Sequence, residues 1–266
     1  MTQRARNTLI LTGFIGACIC GAVCIAATAG VFMAGLKMAS FVDMLRNRSM
    51  GINYLPGIYI LTIAAIASGV AFQFYFRKNP SYELFFFMVA VLALSLEGLR
   101  SLILLLAVGE QSAYYQMLIV RTVYFSRYVG AFCLFCSGLT VTGAQSQRIE
   151  VMLGSSFVLA LAFSSVVPVD ATAFENVVSY RGSSMTDVML PTIIFEAFAV
   201  VNFLFGGYAG ARRECYSFAA AIGCFALGKE LLFYAPDLIF TLVGGTTLLF
   251  GMILFLKRIH HVYQWR

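Results

Sequence analysis

Charge is what this chain has least of. Asp, Glu, Lys and Arg together make up 11% of its 266 residues, against about 25% in an ordinary soluble domain. So few charges cannot cover the exterior of a soluble protein of this size, which excludes a soluble globular fold. Histidine occurs only twice, at His260 and His261, and there is no H-E-x-x-H and no phosphate-cradling glycine loop. A zinc site needs about four ligands, and neither histidine lies near a cysteine pair in the sequence. No catalytic residue, metal site or cofactor is expected, and the chain is not expected to be an enzyme. Trp265 is the single tryptophan, so a tryptophan-rich lining around a lysine-bound chromophore at Lys229 is excluded too. The outer loops lack cysteine. All seven cysteines fall within or at the ends of apolar stretches, which excludes a disulfide framework and makes Cys133-Leu-Phe-Cys136 a pair of small buried hydrophobes.

What the sequence has is apolar residues, at 61%, with a mean hydropathy of +0.87. Such hydrophobicity excludes disorder. The apolar stretches are long and do not alternate, so they read as spanning helices of about 20 residues and not as barrel strands. Eight are predicted: Leu9–Leu36, Leu55–Phe76, Leu84–Val108, Tyr115–Cys136, Val151–Val169, Val188–Ala211, Cys215–Tyr234 and Leu238–Leu256. Ala235-Pro236-Asp237 divides the last two, because proline disfavours helix in the residue before it and suits the first turn of a new one. The fold expected is an all-α, polytopic transmembrane bundle of about eight helices, forming one integral membrane domain over residues 1–266.

Basic residues set the orientation. Arg4, Arg6, Arg77, Lys78, Arg148, Arg212, Arg213, Lys257, Arg258 and Arg266 all flank one side of an alternating eight-span path. Glu110, Asp170, Glu175, Arg181, Asp187 and Asp237 fall on the other. Both termini are therefore expected in the cytoplasm, with the protein in a bacterial inner membrane. The net charge of +6 then reflects membrane sidedness and calls for no nucleic acid. The loop from Lys37 to Tyr54 dissents, with Lys37, Arg46 and Arg48; Met38, Phe41, Val42 and Leu45 there have the spacing of an interfacial amphipathic helix. Arg4, Arg6 and Ala27-Thr28-Ala29 resemble a secretory signal, but the apolar run continues to Leu36, well past the 7–15 residues usual in such signals. The first helix is thus expected to stay as an anchor. Gly13, Ala17 and Gly21 form a small-residue strip suited to close helix packing, within the bundle or in a homodimer or other membrane-protein contact.

The informative residues are ionisable and lie inside spans: Glu97 and Arg100 in the third, Arg121 and Arg127 in the fourth, Glu196 in the sixth, Lys229 and Glu230 in the seventh. Each costs about 2.5–3.5 kcal/mol facing lipid at mid-bilayer, or roughly 20 kcal/mol for seven. Position along alternating spans puts all seven between the bilayer centre and the outer surface, which implies one interior cluster. Tyr124 and Tyr128, sharing a face with Arg121, offer hydroxyls beside it. Three arrangements fit, one of them a proton relay through Glu97 and Glu196, buried carboxylates that load and unload a proton. Ion pairs such as Glu97 with Arg127, and Glu230 with Arg121 or Lys229, would hold the helices in register. Alternatively, four cations against three carboxylates leave one cation for a small anionic ligand, which arginine binds in two-point fashion. The chain reads first as a receptor-like or accessory membrane module with a charged pocket in its outer half. The alternative is a small secondary transporter for an anionic or proton-coupled solute. Transporters tend to interrupt their helices at the site, and the charged spans are expected to run without strong breaks, which favours the module.

Overall fold

The computed structural model describes residues 1–37, 55–76, 81–108, 113–143, 149–169, 184–209, 214–234 and 237–264. Among them every regular element is a helix, and eight helices are long and apolar enough to cross a membrane. They are α1 (Gln3–Lys37), α2 (Leu55–Phe76), α3 (residues 82–108), α4 (Ala113–Val141), α5 (Ile149–Val166), α6 (Ser184–Ala209), α7 (Glu214–Tyr234) and α8 (Leu238–Gln264). All eight expected spans are present. The amphipathic stretch at Met38–Leu45 lies outside the described residues, as do the loop charges Arg46, Arg48, Arg77, Lys78, Glu110, Arg148, Asp170, Glu175, Arg181, Arg212, Arg213 and Arg266.

The helices overrun the apolar stretches at several ends. α8 continues through Lys257 and Arg258 to Gln264, because helical hydrogen bonding does not stop where the hydrocarbon does. His260 and His261 thus stand on its last turns, and His260 meets Phe76 edge to face.

End contacts confirm the alternating path. The Arg6 guanidinium lies 4.9 Å from the Tyr82 ring centroid and donates to the Ser81 carbonyl at 3.5 Å. The Met1 amino group meets Glu150 at 2.9 Å, and Ser137 donates to the Glu83 carbonyl at 3.0 Å. The starts of α1, α3 and α5 and the end of α4 therefore share one face of the bundle.

α1 packs inward with its small-residue strip. Ala17 is fully buried, and a side chain at Gly13 or Gly21 would meet Leu92 of α3 or Ile66 of α2. The strip Gly13, Ala17, Gly21 is thus spent on contacts within the chain and is not open to a homodimer partner. α7 and α8 approach each other most closely: a Cβ at Gly251 would stand 2.6 Å from the Ala221 carbonyl oxygen.

One interruption falls in a charged helix, contrary to the expectation of unbroken spans: residues Leu94–Leu99 of α3 wind as a 3-10 helix. Pro191 lies inside α6, five residues before Glu196, and the helix runs through it without a break. At Gly98 the missing side chain lets α3 lie against α1 and α2, where a Cβ would come within 2.9 Å of the Thr62 hydroxyl.

Candidate functional site

The site is assembled from the start of α3 upward. Ser81 caps that helix, its hydroxyl accepting from the Leu84 amide at 3.2 Å. Twelve α-helical residues later the winding tightens to three residues per turn, and residues i and i+3 then eclipse. Glu97 and Arg100, three apart, accordingly share a face, and both are buried. The hydroxyls of Ser95 and Ser101 donate to the carbonyls of Leu92 and Gly98, both at 2.7 Å. Ser126 of α4 donates to the Ala93 carbonyl at 2.5 Å. That bond fixes α4 against α3 one residue before Arg127.

Arg127 is wholly buried and forms the centre. Its guanidinium reaches Glu230 of α7 at 2.5 Å and Glu97 of α3 at 3.6 Å. Lys229, the neighbour of Glu230, stands 3.4 Å from the Glu230 carboxylate and forms a close ion pair with Glu196 of α6. A continuous chain of opposite charges, Glu97–Arg127–Glu230–Lys229–Glu196, therefore crosses α3, α4, α7 and α6. Arg100 extends it: its guanidinium lies 4.2 Å from the Phe233 ring centroid, while Arg127 lies 3.8 Å from the same centroid. Arg100 also donates to the Phe233 carbonyl at 3.5 Å. Burying these charges without partners would cost several kcal/mol each, so pairing and bundle packing require one another.

Not every residue expected in the cluster joins it. Arg121 is exposed on α4. Six residues toward the start of the helix place it about 9 Å from Arg127 along the axis, while Tyr128, on nearly the same face as Arg121, is buried. Tyr128 is buried, with its ring stacked on Phe132 and against Phe163 of α5. Tyr124 is buried one turn before Arg127. The pairing differs from expectation in two respects. Arg127 is shared by two carboxylates, and Lys229 serves Glu196 as well as Glu230.

The sequence reading missed Phe233 and Tyr234, the rings beside Arg127. Their spacing of three and four from Glu230 was the available signal. It also missed a groove of about 630 Å³ between α6 and α7, closed at one end by Phe240 of α8. Of its twelve lining residues only Glu196, Glu230 and Tyr234 have polar side chains. The groove is open on the lipid side, where Leu227 is 63% exposed.

With Arg121 outside, the cluster holds three basic side chains, Arg100, Arg127 and Lys229, against three acidic, Glu97, Glu196 and Glu230. The charges balance in their ordinary ionised forms. Chemically the arrangement can clamp four helices together, and two of its residues, Glu196 and Glu230, line a cavity that opens on the bilayer. The fold and this buried network define a polytopic helical membrane protein. No family model, curated protein or solved structure matches the chain.

Proposed function

We propose that the protein is a receptor-like or accessory membrane module, binding and not catalytic, that takes a small ligand at the charged cluster in the outer half of its bundle. Both termini lie in the cytoplasm of a bacterium, with the bundle in the inner membrane. The observation that carries this reading is the meeting of a buried ion network from four helices with an open groove: Glu196 and Glu230 belong to both. A purely structural clamp needs no such opening. The exposed basic residues Arg4 in the first helix and Lys257 and Arg258 in the last support the orientation. An anionic ligand loses the argument from surplus cations, since the buried charges balance three against three, and such a ligand must displace a carboxylate from Arg127 or Lys229.

Secondary transport is the second reading, favoured by the 3-10 segment at Glu97, because interrupted helices are where transporters expose their sites. Thermal melts with phosphorylated, carboxylated and amine-bearing metabolites, run beside uptake into proteoliposomes, test both. A ligand that binds only the folded protein raises its stability by mass action. Saturable stabilisation without uptake supports the module, and uptake supports the transporter. If no compound stabilises the protein and none is taken up, the cluster is a structural clamp alone.

A further inference from the structure

Arg121 is a charge that the fold leaves over. Among the described residues it makes no hydrogen bond and no ion pair, although it lies inside a membrane span, Tyr114–Val141. Tyr114, Leu118 and Arg121 are spaced four and three apart and share one face of α4. All three are exposed, the first two at 66% and 53%. Deeper along that face Tyr128 is covered by Phe163 of α5. The cover runs out toward the end of α5, where Val166 is itself 82% exposed. The neighbouring polar group is satisfied within the helix, since the Thr122 hydroxyl donates to the Leu118 carbonyl at 2.9 Å. An unpaired cation therefore stands on an apolar and aromatic surface that meets lipid.

Helix geometry sets its depth. The 28 residues of the span are about 42 Å long, against about 30 Å of hydrocarbon. Centred on the core, the helix leaves about 6 Å, the length of about four residues, in each headgroup layer. Tyr114 and Tyr115 then stand among the headgroups, where tyrosine is enriched. The Arg121 backbone lies about 4–5 Å below the hydrocarbon boundary. Side chains on a helix tilt toward its N-terminus. α4 ends on the face where α1 begins, so its own start is on the opposite face. The Arg121 stem thus leads toward the headgroups of that leaflet, as a snorkelling arginine does.

The anion found at that level is the lipid phosphate. Arginine's planar fork takes a phosphate through two parallel hydrogen bonds. A carboxylate on a second protein would have to come from another span with its own charge at matching depth, whereas every phospholipid in the leaflet brings a phosphate. We propose that this face of α4 is a lipid-docking site. Arg121 holds the phosphodiester of a phospholipid in the leaflet opposite the start of α1, Tyr114 lies beside the headgroup, and Leu118 packs against the acyl chain. The site is separate from the buried network and stands whether or not that network takes a ligand.

Solid-state NMR of the full chain in phosphatidylglycerol–phosphatidylcholine bilayers tests this, with arginine labelled at its ζ carbon. A phosphate-free buffer ensures that phosphorus is carried by the lipid alone. Carbon–phosphorus dipolar recoupling dims only those guanidinium carbons that touch phosphate, and subtracting the Arg121→Lys spectrum isolates the Arg121 carbon. That carbon should lose most of its intensity. A carbon that keeps its full intensity would overturn the lipid contact. Melts in a non-ionic detergent give a second reading. Added phosphatidylglycerol should raise the melting temperature of the parent more than that of Arg121→Ala, by mass action. Dioleoylglycerol, which has the tails and no phosphate, should not separate the two. Equal stabilisation of both proteins by phosphatidylglycerol would also overturn the site. Loss of a dimer in Arg121→Ala, with the carbon undimmed, would overturn it in favour of a partner chain.

Discussion

Arg127 and Arg121 show what a single residue's surroundings decide. Both lie in the same span, and only one is buried. Replacing Arg127 with alanine takes the guanidinium from Glu97 and leaves Glu230 only the Lys229 ammonium. Breaking a buried pair in this way costs about 3–5 kcal/mol, which should appear as a large drop in melting temperature. Adding Glu97→Ala to Arg127→Ala should recover part of the loss, since the carboxylate that lost its ion pair goes with it. Arg121→Ala should stay within about 0.5 kcal/mol of the parent, as surface changes usually do. Melts of the four proteins in one detergent check all of this, and equal losses for the two arginines would show that burial does not separate them. The sequence displayed the cost of these charges plainly. It was less clear about where along α4 the interior begins: Tyr128, on nearly the face of Arg121, is buried, and Arg121 two turns earlier is not.

At the scale of the element, the spans were legible because about 20 apolar residues in a row have few other uses. Their interruptions were harder to read. Nothing local in the run Leu94–Leu99 marks it as a 3-10 segment. Pro191 stood in the sequence, close enough to the start of α6 that the helix continues through it. Glycine also sets how α7 is held. At Gly251 a Cβ would press on backbone, 2.5 Å from the Phe225 nitrogen as well as 2.6 Å from the Ala221 oxygen, and backbone yields less readily than a side-chain tip. Gly251→Ala should therefore push α8 from α7 and cost up to about 3 kcal/mol, the upper end for overpacking. Gly16, which would meet nothing, should tolerate alanine with no loss. Equal melting temperatures for these two variants would contradict the close α7–α8 seam.

For the whole molecule, eight crossings put the start of α1 and the end of α8 on one face, where α3 and α5 also begin and α4 ends. Reporter fusions after Lys78, Arg148, Arg213 and Arg266 should all read cytoplasmic, and fusions near Glu110 and Asp170 external. A reversal of the two sets would invert the proposed orientation and leave the fold intact. Which charges pair was the part least visible in the sequence. Pairing depends on which helices neighbour one another, and nothing local in α6 or α7 specifies that Glu196 should meet Lys229. The central claim is that one buried network joins α3, α4, α6 and α7. Exchanging the charges of the Glu196–Lys229 pair tests it most directly. Glu196→Lys alone sets two cations together in the interior, and Lys229→Glu alone sets three carboxylates there. Each should lower the melting temperature at least as much as the about 3–5 kcal/mol loss of a buried pair implies. The double exchange restores an opposite pair across α6 and α7 and should recover much of the loss, a strongly non-additive result. Two single variants that melt like the parent, or a double variant whose loss is the sum of the two, would contradict the network.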